Sequence, residues 1–254
     1  MHKEIIAQLT STRGPVHPDT IEARDELART YHRAGQYADA IAEHEDIIAD
    51  LTNTHGPQHP DTIKARNELA WTYRYAGQYA DAVAVHEEII AQLTSTRGPE
   101  HPDTIKARNE LARTYQYTGQ YADAIAEHEE IIAQLTSTRG PVHPDTIEAR
   151  DELARTYHRA GQYADAIAEH EDIIADLTNT HGPQHPDTIK DRNELAWTYQ
   201  RAEQYAKAIA IFEATLADCI TGLGRDNSLT KTVRENLEAA KRELERQEDD
   251  SAAE

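Results

Sequence analysis

The stretch GPVHPDTIEARDELARTYHRAGQYADAIAEHEDIIADLTNTH, residues 14–55, returns unchanged at 140–181. Glycines at 14, 56, 98, 140, 182 and 224 recur every 42 residues and mark five full units: 14–55, 56–97, 98–139, 140–181 and 182–223. A fixed internal period of this size marks a stacked array, so it overrides the one or two domains that 254 residues would otherwise suggest. Units one and four are identical throughout, which points to recent duplication of a three-unit block.

Each unit reads as two helices. Gly14-Pro15 and His17-Pro18 interrupt the chain, and Pro18 suits a first helical turn, where Asp19 complements the dipole. Ile21, Leu27, Ala28 and Tyr31 then recur at helical spacing as far as Ala34. Gly35 is the expected stop, since glycine enters the left-handed region without strain. A second helix is predicted from about Tyr37 to Thr52, with Ala40, Ile41, His44, Ile47, Ile48 and Leu51 on one side. Neither apolar stripe can be buried alone, so the units must stack.

Arg24-x-x-Leu27-Ala28-x-x-Tyr31, then Gly35-Gln36-Tyr37 and Ala40-x-x-x-His44, resembles the tetratricopeptide pattern Trp-x-x-Leu-Gly-x-x-Tyr followed by Ala-x-x-x-Phe. The period and the Gly-Pro-x-His-Pro-Asp-Thr junction are similar to the longer repeats of kinesin light chains. Such arrays also resemble the C-terminal sensor regions of STAND signalling NTPases. The resemblance covers residues 4–245. It implies an all-α, right-handed solenoid of antiparallel helix hairpins that binds a protein or extended peptide along a concave groove.

The expected organisation is residues 1–13 as the end of a truncated second helix, 14–223 as five repeats, 224–246 as a capping helix and 247–254 as a disordered acidic tail. Glu4-Ile5-Ile6-Ala7-Gln8-Leu9 matches Glu130-Ile131-Ile132-Ala133-Gln134-Leu135, which suggests further repeat or another domain before Met1. Val233 and Leu237 keep packing positions, whereas Glu238, Lys241 and Arg242 make the last helix polar, as an array end requires.

A formal charge of -20, from 46 acidic and 26 basic residues, argues against nucleic acid and against an anionic membrane surface. No stretch approaches a membrane span, and Met1-His2-Lys3-Glu4 lacks the apolar core of a signal peptide. The single cysteine, Cys219, has no internal partner, so a reducing, cytoplasmic setting is expected.

Fourteen histidines invite a metal hypothesis. No His-Glu-x-x-His places two ligands on one helix face, and unit five carries Phe212 where the others carry His44, His86, His128 and His170. A site that accepts Phe is a packing site. His17 and its equivalents at 59, 101, 143 and 185 suit capping of the junction. No phosphate-binding glycine loop occurs, and Cys219 reads as a small apolar filler. The expectation is therefore no enzyme, no catalytic or metal residues and no cofactor.

The units differ where function should lie. First-helix differences concentrate at 22, 25, 29, 32 and 33, within an arc of roughly 100° opposite the packing residues. The arc comprises Glu22, Asp25, Arg29, His32 and Arg33 in unit one, then Lys64, Asn67, Trp71, Arg74 and Tyr75 in unit two. It continues with Lys106, Asn109, Arg113, Gln116 and Tyr117, then Glu148, Asp151, Arg155, His158 and Arg159. Unit five adds Lys190, Asn193, Trp197, Gln200 and Arg201, with Asp191 as an isolated further difference. In the family these positions match the ligand-facing ones. The second-helix differences at 43, 46, 50 and 53 are milder.

Trp, Tyr and Arg are enriched at interface hot spots, and two tryptophans on an exposed face have little other use. The stripe is net positive within an acidic chain, although the equivalents of Glu26 at its border offset most of that charge. An extended, acidic or carboxylate-bearing peptide is compatible with it but not required by it. Asn67, Asn109 and Asn193 match the first asparagine of an Asn-Asn-Leu-Ala ladder in kinesin light chains, but Glu68, Glu110 and Glu194 replace the second. That family's peptide specificity therefore does not follow. The rival expectation is a spacer or self-assembling array, associating through exposed repeat ends such as Ile5, Ile6 and Leu9.

Overall fold

The computed structural model describes residues 2–253, with side chains as far as Asp249. Among these residues every regular element is an α-helix. They are α1 (His2–Arg13), α2 (Pro18–Arg33), α3 (Tyr37–His55), α4 (Pro60–Tyr75), α5 (Tyr79–Arg97) and α6 (Pro102–Tyr117). There follow α7 (Tyr121–Arg139), α8 (Pro144–Arg159), α9 (Tyr163–His181), α10 (Pro186–Arg201), α11 (Tyr205–Gly222) and α12 (Ser228–Ala253). The chain divides into two compact units, Met1–Ala124 and Ile125–Glu254.

Within the first unit each helix from α1 to α6 packs on the next, and within the second the same holds from α8 to α12. This is the sequential contact pattern of stacked antiparallel hairpins. Small residues recur in its interior: Ala28, Ala70, Ala112, Ala154 and Ala196 are fully buried, as are Ala40, Ala82, Ala166 and Ala208. The second helices supply the bulk of the core through Ile47, Leu51, Ile89 and Leu93 in the first unit and Ile173 and Leu177 in the second. In α11 the corresponding places hold Thr215 and Cys219, both fully buried, and Cys219 fills the position of Leu51.

Junction chemistry repeats from unit to unit. His17 is the N-cap of α2, its Nδ1 accepting from the Asp19 amide at 3.2 Å, and His59, His101, His143 and His185 do the same for their helices. Asn227 takes over before α12, accepting from the Leu229 amide at 2.9 Å. The Thr20 hydroxyl donates to the Gly14 carbonyl, a tie repeated from Thr62 to Gly56 and onward to Thr230 and Gly224.

Gly35 stops α2 at φ 72, while Gln36 N donates back to Tyr31 O. The same turn in the fifth repeat is made by Glu203 at φ 59.

Two boundaries lie beyond their sequence-based positions. In the first four repeats the second helices run to His55, Arg97, Arg139 and His181, three residues past Thr52 and its equivalents. Helix α12 continues to Ala253, past residue 246 and through the stretch expected as a disordered tail. Arg225–Glu254 contains neither glycine nor proline and is rich in Glu, Arg, Lys and Ala, all strong helix formers.

Candidate functional site

In the first unit, α2, α4 and α6 present their variable faces to one cleft of about 860 Å³, with α5 behind them. Seven cationic side chains line it: Arg29, Arg33, Lys64, Arg74, Arg97, Lys106 and Arg113. Three carboxylates, Glu68, Asp103 and Glu110, stand among them. The cleft is therefore net positive within a strongly acidic chain.

An aromatic step forms one wall. His32 stacks on Trp71 at 4.5 Å with the rings 14° apart, and the Tyr75 edge meets both rings. Arg74 lies over the Tyr117 ring at 4.6 Å, which fixes its guanidinium by cation–π attraction. Burial, with the neighbouring Arg33 charge, holds the His32 imidazole below its ordinary pKa. Glu110 braces Arg113 at 2.7 Å and stands 3.9 Å from Arg74, while Glu68 stands 3.9 Å from Arg29. These glutamates occupy the ladder's second asparagine position and act here as braces for arginine.

Four buried polar atoms of cleft-lining residues have no hydrogen-bond partner: His32 Nε2, Asn67 Oδ1, Arg74 Nε and His86 Nδ1. Leaving such groups unpaired costs roughly 1–3 kcal/mol each. Guanidinium and ammonium groups donate to anions and accept no protons near neutrality. The chemistry on offer is anion recognition beside an aromatic surface.

The second unit repeats part of this. His158 stacks on Trp197 at 4.4 Å, and Asn193 Oδ1 accepts from Asn236 of α12 at 2.9 Å. Arg155, Arg159, Lys190, Trp197 and Arg201 are exposed, whereas Asp151 and Asn193 are buried. Lys190 Nζ lies 3.1 Å from Asp151 Oδ2.

Of the predicted stripe in the first unit, the cleft gathers Arg29, His32, Arg33, Lys64, Asn67, Trp71, Arg74, Lys106 and Arg113. Tyr75 and Tyr117 touch its lining, but Glu22, Asp25, Asn109 and Gln116 do not line it. Gln116 is buried, and Glu22 and Glu148 are exposed. Rows 22 and 25 also join neighbouring first helices, since Lys190 pairs with Asp151 and the Lys64 charge acts on Asp25. Gln200 is half-buried.

Two expectations change. Trp71 is half-buried against His32, while Trp197, stacked on His158, remains 39% exposed. Glu43 and Asp50 are not merely mild variants: both accept from the buried Arg24, at 2.6 and 2.8 Å. Arg150 repeats this with Glu169 and Asp176, while Arg66 reaches only Gln92 because residue 85 is valine.

The histidines at position 44 are buried, and burial pushes His44 and His86 down to about 4. One cluster escaped the sequence reading. Asp151, His170 and Asp191 converge on one another from α8, α9 and α10, all within the buried interior of the second unit. The signal was present in the sequence, because Asp191 stands where the other units have Ala23, Ala65, Ala107 and Ala149.

The tetratricopeptide repeat profile matches residues 25–95, 73–133, 103–176 and 153–221. Among solved structures, the chain is similar to the nearly identical TPR-like repeats of a candidate kinesin light chain from Podosopora anserina. Identity there is 31%, with 82% of this chain and 98% of that one covered and a TM-score of 0.63. BtubC (BKLC) from P. vanneervenii is 18% identical over 86% of this chain and 87% of its own, with a TM-score of 0.59. The apo form of RapI is 10% identical over 91% of this chain and 62% of its own, with a TM-score of 0.62. At those identities the last two speak for the fold alone. No curated protein matches the chain.

Proposed function

The chain belongs to the tetratricopeptide repeat family, and from that premise we propose that it binds an extended, acidic peptide segment of a partner protein in the cleft lined by α2, α4 and α6. The observation that carries this reading is the concentration of seven cationic side chains around Trp71 in a chain of charge -20. Tetratricopeptide scaffolds generally act in protein binding, and the exposed guanidinium groups of Arg29, Arg33 and Arg113 suit a peptide's carboxylates. Recognition with no catalytic step is the activity that this donor set supports. A cytoplasmic sensing region of a larger signalling protein is the setting that its family likeness suggests.

Because Trp71 sits in the cleft wall, ligand binding should alter its fluorescence. Titration with acidic, neutral and basic peptides of equal length should give saturable change with the acidic set alone. Trp71→Ala should weaken binding by at least about 2 kcal/mol, as truncation of a desolvated aromatic anchor does. Equal response to acidic and basic peptides, or undiminished affinity in Arg74→Ala and Trp71→Ala alike, would sink the reading.

A further inference from the structure

A second kind of site lies in the second unit, independent of the cleft. The side chains of Asp151, His170 and Asp191 are all more than nine-tenths buried. Asp151 Oδ1, Asp191 Oδ1 and His170 Nδ1 each have no hydrogen-bond partner. One ligand atom from each lies within 4.8 Å of the other two, and His170 Nδ1 stands 3.6 Å from Asp191 Oδ1, too far for a hydrogen bond. Lys190 binds the outer oxygen of Asp151, Oδ2, and leaves Oδ1 to the cluster.

A buried carboxylate in place of alanine is costly unless something compensates it. Two carboxylate oxygens and one imidazole nitrogen converging on one point match the donor set of a borderline divalent transition ion. The geometry points to a binding site for a zinc-class divalent cation, held by Asp151, His170 and Asp191, with coordination positions left over for water. This departs from the sequence expectation that the histidines only pack. The exposed groups at His55, His59, Asp61 and at His181, His185, Asp187 are weaker candidates, because Nδ1 of His59 and of His185 already accepts a backbone amide.

The chain contains its own control. Residues 14–55 and 140–181 are identical, so Asp25 and His44 repeat Asp151 and His170, and Lys64 repeats Lys190. The one missing ligand is the third carboxylate, since residue 65 is alanine.

The full chain, stripped with chelator, is titrated with Zn²⁺ by calorimetry and with Co²⁺ by visible absorption. The unaltered protein should take up one equivalent, with a d–d spectrum showing mixed oxygen and nitrogen ligation and a rise in Tm. Asp191→Ala restores the residue of the other repeats and should fold but lose that equivalent. His170→Phe should lose it too, following the natural Phe212. Ala65→Asp, its folding checked by circular dichroism, should add a second equivalent. Absence of binding by the unaltered chain would overturn the proposal, leaving two carboxylates that share a proton. Uptake unchanged by Asp191→Ala would overturn it as well, by assigning the ion to the exposed histidines.

Discussion

Glu203 shows what one residue costs when it stands where its equivalents are glycine. At φ 59 its side chain crowds the backbone, whereas Gly35 and Gly77 make the same turn freely. Glu203→Gly should raise unfolding stability by about 1 kcal/mol, measurable as a shift in the denaturant midpoint at constant slope. The buried histidines set the acid response. His44 and His86 are held near 4 in the folded chain by burial, against 6.5 when unfolded. The unfolded chain therefore binds more protons between these values, so stability is full above pH 6.5 and is lost as pH falls towards 4. Each histidine contributes up to roughly 3 kcal/mol of this loss. His86→Phe should be tolerated at pH 7, as Phe212 shows, and should flatten that decline. An unchanged acid slope in the variant would contradict the burial argument.

Among the elements, stability rests on alanines where helices meet and on arginines that span them. Ala112 on α6 is fully buried, so Ala112→Leu should overpack the stack and cost about 1–3 kcal/mol. Arg24 on α2 ties to Glu43 and Asp50 on α3 across 19 and 26 residues of chain. Glu43→Lys places a second cation beside a buried guanidinium and should cost about 1–2 kcal/mol, less than the loss of a fully buried pair because Glu43 is partly exposed. The exposed Glu88→Lys should be nearly neutral, and equal effects of the two changes by urea denaturation would refute the assigned role. The helices, the glycine stop at Gly35 and the packing role of Ala28 were all legible in the sequence, because a 3.6-residue period and a left-handed turn are local properties. The Arg24 bridge was not, since its partners lie outside any local window. Nor was the half-burial of Trp71, which depends on His32 from the preceding hairpin. Asp191 was visible as a difference, but its meaning needed Asp151 and His170 brought to it from two other helices.

For the whole molecule, charge acts in two opposite senses. A chain of -20 repels itself, and screening that repulsion should favour the compact state. The hydrogen-bonded pairs of Arg24 and Arg150 are partly buried, so salt weakens them much less than it weakens long-range repulsion. Raising ionic strength from about 0.01 to 0.2 M should therefore raise Tm, since the Debye length shrinks from about 30 Å to below 10 Å. The cleft obeys the reverse rule. Its cations attract an acidic peptide through partly exposed charges, and salt should lower that affinity, chiefly by slowing association. One protein preparation, followed by thermal unfolding and by Trp71 fluorescence titration across the same salt series, should show stability rising while peptide affinity falls. Parallel loss of both would mean that surface ion pairs, not net repulsion, dominate the fold. Affinity indifferent to salt would remove the electrostatic basis for assigning an acidic partner to the cleft.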